Sequence, residues 1–172
     1  HDTPAQKLSC SGCHMRGSNG LAANYEGVMQ RRIHDHSMPG VDVAVTDFFE
    51  LEAQRNAIQY ELDNTLLAQL CVLTTTTGAN IDYTLENVAA GHGWPSGAAH
   101  DRRAWVELVA YQGDAVVFES GVIQPDPALK DLKDDQLWRL GDFAYDKDGN
   151  TAHFFWDVDR VESIQLPGQA AR

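Results

Sequence analysis

The alternation of apolar and polar positions changes character along the chain. Residues 1–41 read as a short helical or looped lead segment. Beyond it, Asp47-Phe48-Phe49-Glu50 has the form of a capping box, with Asp47 at the N-cap and Glu50 three residues later. Leu51, Ile58, Leu62 and Leu66 then recur at helical spacing among Gln, Glu, Arg and Asn. This pattern predicts a helix of about four or five turns with one apolar, core-facing stripe.

From Leu70 the period becomes two. Leu70 to Thr77 is rich in β-branched residues and stops at Gly78-Ala79-Asn80; Ile81, Tyr83 and Leu85 then alternate with Asp82, Thr84 and Glu86. Ala104 to Tyr111 and Ala115 to Glu119 read as strands joined across Gln112-Gly113-Asp114. Leu137 to Tyr145 and Thr151 to Val158 flank another turn, and Val161 to Leu166 is a last strand. Seven short strands with regular turn signals predict an antiparallel, Ig-like β-sandwich. The expected fold is therefore α+β: a lead segment with one longer helix over 1–69, and a β-sandwich over 70–172. Cys71, inside the first of these strands, is expected to be a buried small residue.

Composition narrows the class. The 172 residues are 43% hydrophobic, enough for a real core, and only 20 of them are Gly or Pro, too few for collagen-like or low-complexity chain. No apolar run approaches the roughly 20 residues of a membrane span. A net charge of −12 argues against a general nucleic-acid binder, which needs a basic stripe. The charge is unevenly spread. Residues 1–41 carry three acids, four bases and four of the seven His, whereas 42–172 carry 22 acids and nine bases. The chain starts at His1 with no leader pattern, as a mature or trimmed product of a secreted protein would.

Chemistry enters with the cysteines. Three is an odd number, and two of them stand in Cys10-Ser11-Gly12-Cys13-His14. This C-x-x-C-H spacing is that of covalent c-type haem attachment. Two thiols three residues apart on one turn can add to the two vinyl groups of a porphyrin, and the next residue presents its imidazole to the iron. A redox dithiol would follow an apolar strand, which Ala5-Gln6-Lys7-Leu8-Ser9 is not. A zinc site needs a second ligand pair, and Cys71 stands alone. Haem c is thus the expected cofactor, with Cys10 and Cys13 as thioether anchors and His14 as the proximal ligand.

The sixth iron position has several candidates: Met15, Met29, His34, His36, Met38, His92, His100 and His153. Met15 follows the proximal His too closely to reach the opposite face. The dense run Arg31 to Gly40 supplies the first choices, His36, then His34, then Met38, and Asp35 could orient an imidazole. A Met ligand would raise the potential and a second His would leave it lower. The other informative stretch is the loop Asn87 to Gly97 with Asp101-Arg102-Arg103-Ala104-Trp105 behind it. Glycines and a proline shape it around His92 and Trp94, which a haem could use, while Arg102 or Arg103 could pair a propionate. A purely structural loop is the competing reading. Asp146, Asp148 and Asn150 imitate a calcium loop, but Thr151 stands where Gly is required, so a hairpin turn is expected. Lys130 to Asp135 is expected to be a solvated loop.

Three of these motifs in order resemble the C-terminal part of multihaem c-type cytochromes. They are C-x-x-C-H-M (Cys10, Cys13, His14, Met15), D-H-x-M-P-G (Asp35, His36, Met38, Pro39, Gly40), and G-H-x-[FW]-P-[ST]-G with R-x-W (Gly91, His92, Trp94, Pro95, Ser96, Gly97, Arg103, Trp105). The resemblance implies a haem-bearing helical region before a β-sandwich, and bis-His ligation with His36 and His92 as distal ligands. This chain departs from it in having one C-x-x-C-H rather than several. That implies a monohaem relative, a fragment, or one subunit beside other haem-bearing chains, where His36 or His92 would serve a haem anchored elsewhere. The expected role is periplasmic or extracellular electron transfer, with other redox proteins or haem-bearing subunits as partners. The alternatives are a haem enzyme with an open iron position, of peroxidase or nitrogen-oxide reductase type, and an assembly module.

Overall fold

The computed structural model describes residues 9–98, 100, 102–123 and 132–168. The chain forms two compact units, His1–Gly91 with Gln169–Arg172, and His92–Gly168. The division falls after the first long hairpin. The expected boundary at 69/70 falls within the first strand of that hairpin, into which the helix runs directly. Together the elements make an α+β chain dominated by antiparallel sheet, with few helices.

In the first unit, α1 (Cys10–His14) is one turn, followed by the ribbon β1 (Gly17–Leu21) and β2 (Gln30–His34). Its register pairs Gly17 with His34 and Leu21 with Gln30. Sequence pattern does not announce this ribbon, since Gly17-Ser18-Asn19-Gly20 lacks strand formers. The glycines serve close approach instead. A Cβ at Gly17 would strike the Arg32 side chain, and one at Gly20 would lie 2.6 Å from Ile33 Cδ1.

Helix α2 spans Leu51–Thr65. The capping box does not form: Glu50, not Asp47, is the N-cap, and it makes no side-chain cap. The turn before the helix is closed by Leu51 N–H to Phe48 O (3.1 Å), and Gln54 Oε1 accepts from Ala44 N–H at 2.8 Å. Of the expected apolar stripe, Ile58 alone is buried, and Leu62 is 37% exposed. The helix stops where Thr65 turns its hydroxyl back onto Glu61 O (2.5 Å), and Leu66 is already extended.

β3 (Leu66–Thr74) and β4 (Ala79–Asn87) follow as a long hairpin, and Val88 N–H returns to Thr65 O at 2.9 Å. Residues opposite one another share a face. Leu66, Ala68, Leu70 and Val72 therefore lie with Ala79, Ile81, Tyr83 and Leu85, and Gln69 and Cys71 lie with Thr84 and Asp82. This corrects the expectation for Cys71. Its parity places it opposite Asp82, and it is exposed like most of the strand.

The second unit contains β5 (Ala104–Trp105), β6 (Leu108–Gln112), β7 (Ala115–Ser120), β8 (Arg139–Tyr145) and β9 (Arg160–Ile164). They form a β6-β7 hairpin and a β5-β8-β9 sheet. The hairpin expected across Gln112-Gly113-Asp114 is tight: Gln112 pairs with Ala115, and Gly113, at φ +60°, takes the first of the two turn positions. Two expectations are corrected. Ala104 to Tyr111 is two strands, because Val106 N–H bonds Trp138 O (3.0 Å) and the chain then passes from one sheet to the other. Thr151 to Val158 is not a strand: Thr151 makes a single bridge to Tyr145, and Phe155–Asp157 winds into a 3-10 turn. The core of this unit is Leu140, Ala144, Ala152 and Leu166.

Asp146 behaves as a turn residue. Its carboxylate accepts the backbone N–H of Asp148 and Asn150 (2.9 and 2.8 Å), which holds it below the usual carboxylate range, Asn150 contributing most. The run Lys130 to Asp135 lies partly outside the described residues. Within it, Asp134 accepts from Gly121 N–H (2.7 Å), Gln136 N–H (2.9 Å) and Ser120 Oγ–H (2.9 Å), so it is a clasp as well as a surface charge.

Candidate functional site

The sequence places Cys10, Cys13 and His14 at i, i+3 and i+4, and α1 provides the one helical turn that gathers them on one side. All three described cysteines are free thiols; Cys10 is exposed and Cys13 half-buried. His14 Nδ1 lies 2.7 Å from the carbonyl oxygen of Pro39. A carbonyl only accepts, so the proton sits on Nδ1 and the lone pair on Nε2. That is how a ligating His is held in the correct tautomer and orientation.

The chain between these partners is turned back by β1 and β2 and then by a short loop. Asp35 N–H bonds Arg16 O (3.1 Å), and His34 Nδ1 donates to Met15 O (2.6 Å). The Asp35 carboxylate accepts Ser37 N–H at 2.8 Å in an Asx turn. Met38 adopts φ +47°, the left-handed region, at a cost of about 1–2 kcal/mol. This bend lies immediately before the Pro39 carbonyl that meets His14. The structure thus brings His34, Asp35 and the Met38-Pro39 bend to the C-x-x-C-H turn. His36 sits in the same loop, exposed and with no hydrogen bond to the described residues.

Three side chains missed by motif reading complete the surroundings. Arg16 Nη2 donates to Glu61 Oε1 at 2.9 Å, and its guanidinium carbon lies 3.7 Å from the centroid of the Tyr60 ring. Its Nε approaches Cys13 O at 3.5 Å. The contact with Tyr60, against slight desolvation and with Glu61 adding, pushes Arg16 further toward its charged form. Tyr60 and Glu61 belong to α2, which no motif connects with residues 10–14.

His92, Trp94 and Arg103 belong to the second unit. His92 Nδ1 lies 2.9 Å from Gly93 O and 3.1 Å from Ser96 Oγ, which places its proton on Nδ1 as well. Trp94 exchanges both backbone hydrogen bonds with Leu166 (2.9 and 2.8 Å). Gly168 lies against the His92 backbone, where a Cβ would come within 2.7 Å of the His92 carbonyl carbon. Of the two arginines weighed for a propionate, Arg102 is tied to Ser96 O beside the left-handed Gly97. Arg103 is exposed and its side chain makes no hydrogen bond to the described residues. His100 Nε2 donates to His153 O (3.2 Å) and its ring lies 4.8 Å from Phe155.

Among the described residues, no three His, Cys, Asp or Glu side chains are grouped to hold one metal ion. No described helix is long and apolar enough to cross a membrane. No family model, curated protein or solved structure matches the chain significantly.

Proposed function

We propose that the chain is a c-type cytochrome carrying one covalent haem, working in electron transfer in a periplasmic or extracellular compartment. The observation that carries this reading is the joint one at α1. Two free thiols stand at the attachment spacing, and the adjacent His14 has its ring oriented by Nδ1 on Pro39 O, as a haem-ligating His is held. The residues fit the group in a second way. No side chain from Ser9 to Ala57 is buried, although Leu21, Tyr25, Met29 and Met38 are 50% exposed or more. A porphyrin is a large apolar surface that would give such a segment a core.

Cys10 and Cys13 would hold the haem and His14 its iron; when bound, the haem supplies one-electron chemistry at a potential set by its ligands and surroundings. The chain's own part is placement. α1 fixes the thiols, Pro39 O orients His14, and the β1-β2 ribbon returns the 34–39 loop to the same turn. Cys10 is exposed, so the turn lies at the surface, where a partner's redox group can approach. His36 is the first candidate for the distal ligand and His34, already oriented by Met15 O, the second; His92 would serve this haem or one on a neighbouring chain. Arg103, exposed, and Trp94 remain the proposed propionate and ring contacts.

The fold reading extends in the same way. The ribbon β3-β4 carries most of its apolar residues on one face, with Leu67 and Leu73 on the other, and is proposed as one layer of an Ig-like sandwich. The multihaem resemblance makes other redox proteins or haem-bearing subunits the proposed partners.

The test is the visible spectrum of the protein matured with haem. Two protein ligands give low-spin iron in both oxidation states, slow to bind carbon monoxide or cyanide. High-spin iron that binds them within seconds would favour an enzyme with an open position instead. His36→Ala is expected to convert the iron to high spin; an unchanged spectrum would move the assignment to His34, His92 or Met38.

A further inference from the structure

We propose that Arg16 is a positioning residue for the C-x-x-C-H turn: its side chain clamps α1 to helix α2, and its charge, balanced by Glu61, acts on the group held there. The inference rests on the haem reading above but concerns residues that reading does not use.

Arg16 stands two residues after His14 and makes four contacts with different parts of the first unit. Its backbone oxygen accepts Asp35 N–H at 3.1 Å, fixing the loop that carries His34 and His36. Its Nε faces Cys13 O, the carbonyl of the second attachment cysteine, at 3.5 Å. Its guanidinium lies over the Tyr60 ring, 3.7 Å from the centroid, and donates to Glu61 Oε1 at 2.9 Å. A planar guanidinium can stack on an aromatic face and bond a carboxylate at its edge at once, which an ammonium cannot do equally well.

Sequence separation gives the clamp its weight. Tyr60 and Glu61 lie 44 and 45 positions beyond Arg16, and the intervening chain has no buried side chain before Ile58. Glu61 is the better shielded partner, 19% exposed against 49% for Arg16, so its carboxylate is the more enclosed of the two charges. A cation this close to the attachment turn favours the reduced, less positive state of an iron centre, and the anion opposes it.

The experiment uses the full chain matured with haem, in wild-type, Arg16→Gln and Glu61→Gln forms, with the reduction potential read by spectroelectrochemical titration. Arg16→Gln is expected to lower the potential and Glu61→Gln to raise it, both shifts shrinking at high ionic strength. A merely structural clamp would move both variants in the same direction. That result, or no movement in either, would overturn the proposal. A second measurement keeps the two readings apart. Should the wild type take up no haem, the haem reading fails by itself, and maleimide labelling of the unloaded chain decides the clamp. At least threefold faster labelling of Cys13 in Arg16→Gln supports it, and an unchanged rate overturns it.

Discussion

The segment from α1 to the Met38-Pro39 bend and the β5-β8-β9 sheet hold their shapes by different means. In the sheet, Leu140 and Ala144 are buried, and apolar area removed from water at about 25 cal/mol per Å² supplies the drive. In the first segment nothing is buried, and the path is set by the β1-β2 backbone pairing and by polar links: His14 to Pro39, His34 to Met15, Asp35 to Arg16, and Arg16 to Glu61. A net hydrogen bond contributes about 1 kcal/mol, so bonds of this kind without buried apolar area hold a region less firmly than a core does. They can aim groups. The comparison teaches that one part of the chain is built for stability and the other to present thiols and an imidazole in a fixed direction.

Three substitutions would break or sharpen that contrast. The largest effect is expected in the sheet-bearing unit at Gly121, which has φ +71° and where a Cβ would strike the Val106 carbonyl oxygen. Gly121→Ala should cost about 2–4 kcal/mol in denaturant unfolding and leave haem attachment chemistry at Cys10 and Cys13 untouched. A loss below about 1 kcal/mol would mean the turn relaxes freely. Next, Trp105 Nε1 donates to Gly121 O at 3.0 Å, so Trp105→Phe should cost about 1 kcal/mol, measured the same way.

The smallest effect is electrostatic. Gly121 N–H first, then Gln136 N–H and Ser120, hold the Asp134 carboxyl below its usual range. A depressed folded value stabilises the protein above the unfolded value of about 3.9 and loses that contribution as pH falls through the folded one. Melting curves at descending pH should therefore decline less steeply below about pH 4 in Asp134→Asn than in the wild type. Parallel curves would remove Asp134 from the account.

What could be read from sequence follows the same division. The Gln112-Gly113-Asp114 turn and the alternation of Ile81, Tyr83 and Leu85 are local signals, and the structure has both. The start of α2 departs from its pattern because Asp47-x-x-Glu50 satisfies a local rule, whereas the segment is closed by Gln54 reaching back to Ala44 N–H. The Thr151 to Val158 stretch has strand-forming residues yet makes one bridge and a 3-10 turn, since tertiary pairing overrides propensity. At the candidate site the proposed ligand types are legible in Cys10-x-x-Cys13-His14. Its supports are not, because Pro39 O is a backbone atom and Tyr60 and Glu61 are distant helix surface residues that no spacing connects to Arg16.

The most direct test of the central claim is covalent attachment itself. The chain, produced in a cell that matures c-type cytochromes, is denatured, separated on a gel and examined by mass spectrometry and pyridine haemochrome spectrum. The account predicts one haem per chain that survives denaturation, with Cys10 and Cys13 protected from alkylation and Cys71 still reactive. A chain without haem whose three cysteines are all alkylated would contradict it.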